Sequence, residues 1–341
     1  MLKDNTERGI AKALGLYKVE AYDNMLIDCL ELRKELRLND WGYLQMLKNL
    51  AYKVHGGKNN SAMLMLAYLF IQSGYKMRFA MCSDVLYLLF ASNHVIYDSN
   101  SFRIGGDVYY GVEPLPNRLS VCEASFPKEQ NLSLVMGASP KLAKESGNSR
   151  QIASKRYLDV KADVRVNKNL MNFYTDYPTS MIGEDFMTLW AIYANTPMAD
   201  DIKEQLYPQL SSFLSGKSLL EAANILLNWV QTGFEYEYDD KVWGGDRVFF
   251  AEETLYYPYC DCEDRSILYS HLVRDLLGLD VALIYYPNHL ATAVKFSNGP
   301  EGDYIQLEEG DFTICDPTFI GAPVGNTMTG MDNSSVNIIV L

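Results

Sequence analysis

The sequence predicts an α+β protein in which two similar α/β units are joined by a β-rich segment. Two separate regions carry apolar residues at helical spacing followed by strand-like runs, and the stretch between them is rich in short β-type runs. We expect the units at residues 1–117 and 198–341, with the connecting segment at 118–197. A chain of 341 residues, 48% hydrophobic and 21% charged, is long enough to form two such units.

The first unit is predicted from residues 40–54 and 61–73, where apolar side chains recur at helical spacing, and Gly74 then provides a helix stop. Apolar runs follow that are typical of strands. These runs are residues 76–82, 85–91 and 108–110.

The connecting segment contains two runs of strand-like residues, LSVCEASF and RYLDVKADVRV. The polar stretch between them, SPKLAKESGNSRQ, lacks core-forming residues and predicts an exposed loop.

The second unit contains an apolar helix pattern at 219–231 and a second one at 262–277. Asp261 is a candidate N-cap of the second helix, and Gly278 is its candidate C-cap. Strand-like runs then follow at residues 281–286, 290–296 and 312–315.

The two units are predicted to be copies of one another, displaced by 204 residues without a gap. This offset superposes Gly74 on Gly278, Leu86 on Leu290, and Gly106 on Gly310. It also places Lys58 at Cys262, Val85 at His289, and Val112 at Asp316. We therefore expect the first unit to be degenerate, without any of the chemically active groups of the second.

Those groups are a thiol, an imidazole and a carboxylate in chain order. Cys262 lies in the stretch YYPYCDCEDRS, His289 follows it by 27 positions, and Asp316 follows His289 by another 27. A nucleophilic thiol requires a general base and a third group that orients the base, so this order predicts a Cys-His-Asp catalytic triad. Neighbouring acids raise a thiol pKa, and a helix N-terminus offsets less than about one unit, so we expect His289 to lower the pKa of Cys262.

Other residues near the thiol have simpler interpretations. Cys260 precedes the helix, so Cys262 alone lies in its first turn, where Asp264 is expected to cap the helix. His271 is nine positions further on, half a turn out of phase and about 13.5 Å along the axis, which excludes it as the base. We expect Arg247 and Arg265 to pair with surrounding acids.

The sequence motifs around these residues resemble those of the transglutaminase-like superfamily of papain-related cysteine enzymes. The resemblance covers about 219–325 and is carried by Cys262-Glu263-Asp264, His289 and Asp316-Pro317-Thr318, as in uncharacterised bacterial, Bacteroidetes-type members. It implies a papain-like fold for each unit, with Cys262 as nucleophile, His289 as base and Asp316 as orienter. The implied activity is a thiol-dependent hydrolase or acyl transferase that attacks an amide carbonyl of a peptide or protein through a thioester.

Two alternatives remain open. The chain is alternatively a non-catalytic peptide- or protein-binding module on the same fold, in which case Cys262 has ordinary reactivity. A zinc site of Cys260, Cys262, His289 and either Cys315 or Asp316 is disfavoured by its C-x-C spacing. We therefore predict no metal and no cofactor.

The bulk composition excludes some partners. A formal net charge of −13 argues against nucleic acid, which requires a basic surface. No apolar stretch approaches the 18 residues of a membrane span. The chain as written predicts a cytoplasmic protein, or an exported one if a leader was removed, and six cysteines are too sparse for a disulfide framework.

Overall fold

The structure is a computed structural model that describes residues 6–122 and 128–341. It is a mixed α+β structure, as the sequence predicts. The chain divides into two compact units, Met1–Val135 with Ser180–Glu184, and Met136–Thr179 with Asp185–Leu341. We call them unit 1 and unit 2.

The helices are spread over both units, and several are short. In chain order they are α1 (Glu7–Gly15), α2 (Glu20–Glu35), α3 (Asp40–His55), α4 (Asn60–Gln72), α5 (Lys168–Thr175), α6 (Met187–Asn195), α7 (Asp200–Leu214), α8 (Leu219–Gly233), α9 (Asp239–Val242), α10 (Ala251–Tyr256) and α11 (Cys262–Leu277).

In the part of the chain that the structure describes, the strands form two five-stranded sheets and three two-stranded pairs. In chain order they are β1 (Met77–Cys82), β2 (Val85–Ala91), β3 (His94–Ile96), β4 (Ser101–Ile104), β5 (Asp107–Gly111), β6 (Ser120–Cys122), β7 (Ser146–Ala153), β8 (Lys161–Asn167), β9 (Ser180–Ile182), β10 (Glu235–Tyr236), β11 (Tyr259–Cys260), β12 (Val281–Tyr286), β13 (His289–Lys295), β14 (Tyr304–Leu307), β15 (Gly310–Cys315) and β16 (Asn337–Val340).

The five-stranded sheet of each unit has the same order of strands. The order is β4-β5-β2-β1-β6 in unit 1 and β14-β15-β13-β12-β16 in unit 2, and every neighbouring pair is antiparallel. The helix before each sheet, α4 or α11, precedes a β-hairpin that forms the centre of the sheet. The prediction of one unit used twice is confirmed at the level of element order.

The register of the repeat differs from the prediction in one respect. Met77 pairs with Phe90 in the central hairpin of unit 1, and Val281 pairs with Val294 in that of unit 2, an offset of 204. The next hairpin has a different offset. There Ile104 pairs with Asp107 and Leu307 with Gly310, an offset of 203.

The ungapped repeat is therefore wrong after β2, because one residue fewer separates the two hairpins in unit 2. Asp316 corresponds to Glu113 rather than to Val112. The expectation that unit 1 lacks every counterpart of the active groups is wrong for this carboxylate.

The region 118–197 is less purely β than its sequence pattern indicates. It contains helices α5 and α6, and the stretch predicted as an exposed loop contains most of β7, which pairs with β8. The polar side chains of β7 occupy an antiparallel hairpin, so backbone pairing determines its structure rather than apolar alternation. Part of LSVCEASF, residues 123–126, lies outside the described residues.

The three central strands of the sheet of unit 2 are buried along most of their length, whereas the outer strands β14 and β16 have exposed residues. Alternate residues of its strands form one apolar cluster, composed of Ala282, Ile284, Tyr286, Ala291, Ala293, Ile305, Phe312 and Ile314. Helix α11 packs against β12 and β13. Among the described residues, no helix is both long enough and apolar enough to cross a membrane.

Candidate active site

The first turn of α11 is fixed by reciprocal capping. Asp261 is the N-cap, and Asp261 and Asp264 form a capping box. The Asp264 carboxylate accepts hydrogen bonds from the backbone N–H of Asp261 at 3.3 Å and of Phe249 at 2.9 Å. The predicted N-cap and the capping role of Asp264 are confirmed, and Gly278 ends the helix in the left-handed conformation at φ 65°.

His289 and Asp316 are brought together by two neighbouring strands. His289 begins β13, and Asp316 follows the last residue of β15, its antiparallel neighbour. The His289 Nε2 atom lies 2.9 Å from Asp316 Oδ2. The second carboxylate oxygen accepts hydrogen bonds from the backbone of Thr318 at 2.8 Å and of Phe319 at 3.1 Å, so the orientation of Asp316 is fixed.

Cys262 lies against the start of the same strand. Ser266, one helical turn further along α11, donates its hydroxyl to the Leu290 carbonyl at 2.9 Å. Burial raises the pKa of Cys262, and the backbone N–H of Leu290 opposes this rise, so the sulfur lies near the residue after His289. The thiol donates to Glu263 Oε2 at 3.3 Å. Among the described hydrogen bonds of Cys262 and His289, none joins the thiol to the imidazole.

The surroundings of Cys262 favour its neutral form. Burial is the main cause that raises the pKa of this thiol, and the charges of Glu263 and Asp261 raise it further. Only 8% of Cys262 is exposed. Contrary to the expectation of a lowered thiol pKa, Cys262 is a protonated hydrogen-bond donor in this arrangement.

Carboxyl groups crowd the region next to the thiol. Oxygens of Asp239, Asp246 and Glu263 lie within 4.8 Å of one another, and Asp261, Cys262 and Glu263 form a second such group. Burial, followed by the charge of Asp261, raises the pKa of Asp239 to about 7. Burial and then Glu263 raise the pKa of Asp261 to about 8.

Cys260 is held in a different environment from Cys262. It is buried on β11, and its sulfur accepts a hydrogen bond from Arg265 Nε at 3.4 Å. Burial is the largest cause that raises the pKa of Cys260 to about 12, although Arg265 lowers it. The two cysteines therefore differ in their hydrogen-bond partners. Cys260 can thus serve as an internal reference when the reactivity of Cys262 is measured.

The two arginines take different roles. Arg247 pairs with Glu253 at 2.5 Å, so the predicted acid partner is confirmed. The prediction for Arg265 is wrong, because its other two guanidinium nitrogens donate to the carbonyls of Gln231 and Phe234, both at 3.1 Å. Among the described residues no ion pair includes Arg265, and its fixed fork of donors satisfies buried backbone carbonyls instead.

Gln231 is a positioning residue that sequence reasoning missed. Its Nε2 donates to the carbonyls of Asp316 at 3.0 Å, Phe319 at 2.8 Å and Ala322 at 3.0 Å, and its Oε1 accepts from Gly321 N at 3.1 Å. These bonds tie the loop after Asp316 to α8. The available signal was an amide that directly follows the apolar pair Trp229-Val230 in the helix pattern, since a polar side chain buried there needs partners.

His271 lies on α11 away from the thiol and is buried, so it is a packing histidine rather than a surface one. Burial lowers its pKa to about 3. The groups of described residues whose donor atoms suit a metal ion include neither Cys260, His289 nor Cys315, which disfavours the zinc alternative.

No protein-family model, no curated protein and no solved structure matches the chain.

Proposed function

We propose that the chain is a thiol-dependent hydrolase or acyl transferase of the transglutaminase-like superfamily, acting on an amide carbonyl of a peptide or protein. The observation that carries the proposal is the His289–Asp316 hydrogen bond at the start of β13, the strand to which the first part of α11 is joined by the hydrogen bond from Ser266 to Leu290. A thiol at a helix N-terminus, an imidazole and an orienting carboxylate are the parts that such chemistry requires.

The hydrogen bond to Asp316 supports a different role for each of the two imidazole nitrogens. Because Nε2 is bound to the carboxylate, Nδ1 is the atom left to exchange a proton with the thiol and with the leaving group. Asp316 thereby holds the ring in one tautomer and stabilises the imidazolium when it forms.

The acidic surroundings favour a neutral resting thiol over a preformed thiolate–imidazolium pair. We propose that the Cys262 thiol first breaks its hydrogen bond to Glu263. The sulfur then attacks the carbonyl carbon of the substrate, and the thiol proton passes to His289 Nδ1 in the same step. His289 then gives this proton to the leaving nitrogen as the C–N bond breaks, which leaves a thioester on Cys262. Water or an amine then attacks the thioester, and His289 removes a proton from this attacking group. The C–S bond breaks, the proton returns to the sulfur, and the Cys262 thiol is regenerated.

The test is the rate of Cys262 alkylation by iodoacetamide at pH 7.5, measured by peptide mass spectrometry with Cys260 as the internal reference. We expect His289→Ala to slow labelling of Cys262 at least tenfold relative to Cys260. His55→Ala is the matched control, because it removes an imidazole from unit 1, and we expect it to change nothing. Equal labelling rates in the His289→Ala variant and the unmodified protein would refute the assignment of His289 as base.

A second experiment tests the covalent intermediate. Incubation with glutamine-containing peptides and hydroxylamine is expected to give peptide hydroxamate with the unmodified protein and none with Cys262→Ala. Hydrolysed peptide without hydroxamate would identify water as the acceptor.

The competing function is a non-catalytic peptide-binding module. The specific observation that favours it is the buried, protonated thiol hydrogen-bonded to Glu263. It predicts peptide binding that Cys262→Ala leaves unchanged, together with slow labelling that does not depend on His289.

A further inference from the structure

We propose that a cavity in unit 1 binds a small organic carboxylate with an apolar chain, and that Lys58 holds the carboxylate. The cavity has a volume of about 790 Å³ and lies where α4 begins, beside the start of β2. This volume is within the usual range of small-molecule sites, roughly 300–1,000 Å³. Lys58 and Val85 in its wall stand at the positions that Cys262 and His289 occupy in unit 2. The cavity belongs to unit 1 alone, so it does not depend on the function proposed for the thiol.

The two asparagines of the wall are already bound within the protein. Asn59 caps α4, and its Oδ1 accepts from two backbone N–H groups of the first turn at 3.0 and 3.1 Å. Asn60 donates to the Asp84 carbonyl at 2.7 Å and accepts from Leu86 N at 2.9 Å. An anion in the cavity would therefore be held by a charged side chain rather than by the helix end or the amides.

The wall carries an excess of positive charge. Lys58 Nζ lies 3.5 Å from Glu113 Oε2, and Lys48 Nζ lies 3.4 Å from Oε1 of the same carboxylate. The Tyr52 hydroxyl also donates to that carboxylate, at 2.8 Å. Two ammonium groups thus share one carboxylate, and the half-exposed Lys58 has N–H donors left for a second anion. Among the residues that the structure describes, no acid lines the cavity, so its charge favours an anionic ligand.

An imidazole nitrogen on the same wall independently indicates a ligand. His55 lines the cavity, and its Nε2 atom is buried without a hydrogen-bond partner within residues 6–122 and 128–341. A buried polar atom without a partner is costly, and a ligand oxygen that accepts a hydrogen bond from this nitrogen would remove the cost. Lys58 and His55 together can donate to the two oxygens of one carboxylate.

The rest of the wall suits an apolar chain. Met63 and Leu86 are 2% and 1% exposed, whereas 45% of Val85 is exposed. Covering Val85 with the chain of a ligand would remove apolar surface from water, which favours binding. The cavity therefore fits an aliphatic carboxylate better than an inorganic anion.

The experiment is a calorimetric titration of the full chain with sodium hexanoate, and we expect one molecule to bind per chain. 1-Hexanol has the same chain without the charge, and inorganic phosphate has charge without the chain. We expect each of them to bind at least about tenfold more weakly than hexanoate.

Lys58→Met is the test variant, because it removes the ammonium and keeps an unbranched side chain. We expect it to weaken hexanoate binding at least about tenfold, whereas Lys58→Arg, which keeps the charge, should retain binding within about threefold. Lys53→Met is the matched control, since Lys53 is an exposed lysine of α3 that does not line the cavity, and we expect unchanged affinity. Val85→Glu tests the same wall by a second route, because it adds a negative charge there, and we expect it to abolish binding. Circular dichroism verifies that each variant is folded.

The absence of binding up to about 50 mM hexanoate, a weak limit for a ligand of this size, would overturn the proposal. Unchanged affinity in Lys58→Met or Val85→Glu would overturn it as well, and so would binding of 1-hexanol or phosphate as tight as that of hexanoate. Cys262→Ala separates this site from the proposed enzyme function, since we expect it to abolish thioester chemistry while hexanoate binding persists. Loss of hexanoate binding in Cys262→Ala would place the ligand in unit 2 and refute the site.

Discussion

Units 1 and 2 share one order of strands but hold different side chains where the helix meets the central hairpin. In unit 2 that place contains Cys262, His289 and Asp316, and in unit 1 the same positions contain Lys58, Val85 and Glu113. Unit 1 has Val85 at the position of the imidazole, and there Lys58 Nζ lies 3.5 Å from Glu113 Oε2. A lysine–glutamate ion pair thus spans the positions that hold the thiol and the carboxylate in unit 2.

The corresponding backbone groups differ in the same way. The N–H of Leu86 donates to Asn60 Oδ1 at 2.9 Å in unit 1, while the backbone of its counterpart Leu290 interacts with the Cys262 thiol. Unit 1 also has a cavity of about 790 Å³ lined by Lys58 and Val85. The comparison teaches that the repeated fold supplies the place, whereas a few side chains determine its chemistry.

The largest expected effect distinguishes the two carboxylates of the repeat. Asp316→Asn is expected to lower turnover by about 10²–10⁴, because the amide favours the wrong tautomer of His289. Glu113→Gln, the same change at the equivalent position of unit 1, is expected to leave turnover unchanged. The measurement is kcat/KM on a peptide amide identified with the unmodified protein, and equal losses in both variants would break the comparison.

The next effect concerns the buried Arg265, whose position in unit 1 is occupied by a serine. Arg265→Ala is expected to lower the free energy of unfolding by about 3–5 kcal/mol, because it leaves the Gln231 and Phe234 carbonyls buried without donors. Its counterpart at the 204 offset is Ser61, and Ser61→Ala is expected to change stability by less than about 0.5 kcal/mol. Urea unfolding followed by circular dichroism measures both, and a small loss for Arg265→Ala would show that water replaces its hydrogen bonds.

A pH effect is expected from His94 in unit 1. Its Nε2 accepts a hydrogen bond from Leu134 N at 3.2 Å, so Nδ1 carries the proton toward the Ser180 hydroxyl at 3.1 Å. Burial lowers the pKa of His94 to about 4, although the charge of Asp40 opposes this.

Between pH 4 and 6.5 the unfolded state binds a proton at this histidine that the folded state does not bind, so stability rises with pH in this window. The contribution is at most about 1.4 kcal/mol per pH unit. We expect His94→Gln to reduce this slope in urea unfolding measured from pH 4 to 7. An unchanged slope would show that His94 is protonated in the folded protein.

The smallest expected effect is that of the ion pair in unit 1. Lys58→Met is expected to lower stability by less than about 1 kcal/mol, because Lys58 is part of an exposed pair. Burial opposes ionisation of Glu113, but the Tyr52 hydroxyl, Lys48 and Lys58 together hold its pKa below its usual range. The same urea assay measures this change, and a loss of several kcal/mol would assign the pair a structural role that its exposure does not predict.

The sequence predicted local features well where a single element contains its own signal. The cap at Asp261, the stop at Gly278 and the central strands of both sheets depend on short-range propensities and burial patterns, and the structure confirms them. It predicted β7 poorly, because polar residues in a paired hairpin show no apolar alternation. The one-residue change of offset after β2 was missed because few identities mark the second hairpin of the repeat.

The sequence by itself determined that two α/β units occur in this chain and which residues cap and pack the central helix of unit 2. These features follow from periodicity and from local hydrogen bonding. Only the tertiary structure decided that Glu113 corresponds to Asp316, that Arg265 binds carbonyls rather than acids, and that the Cys262 thiol donates a hydrogen bond to Glu263. Each of these depends on strand register or on distances between groups far apart in the chain, and the spacing of residues along one chain does not specify such distances.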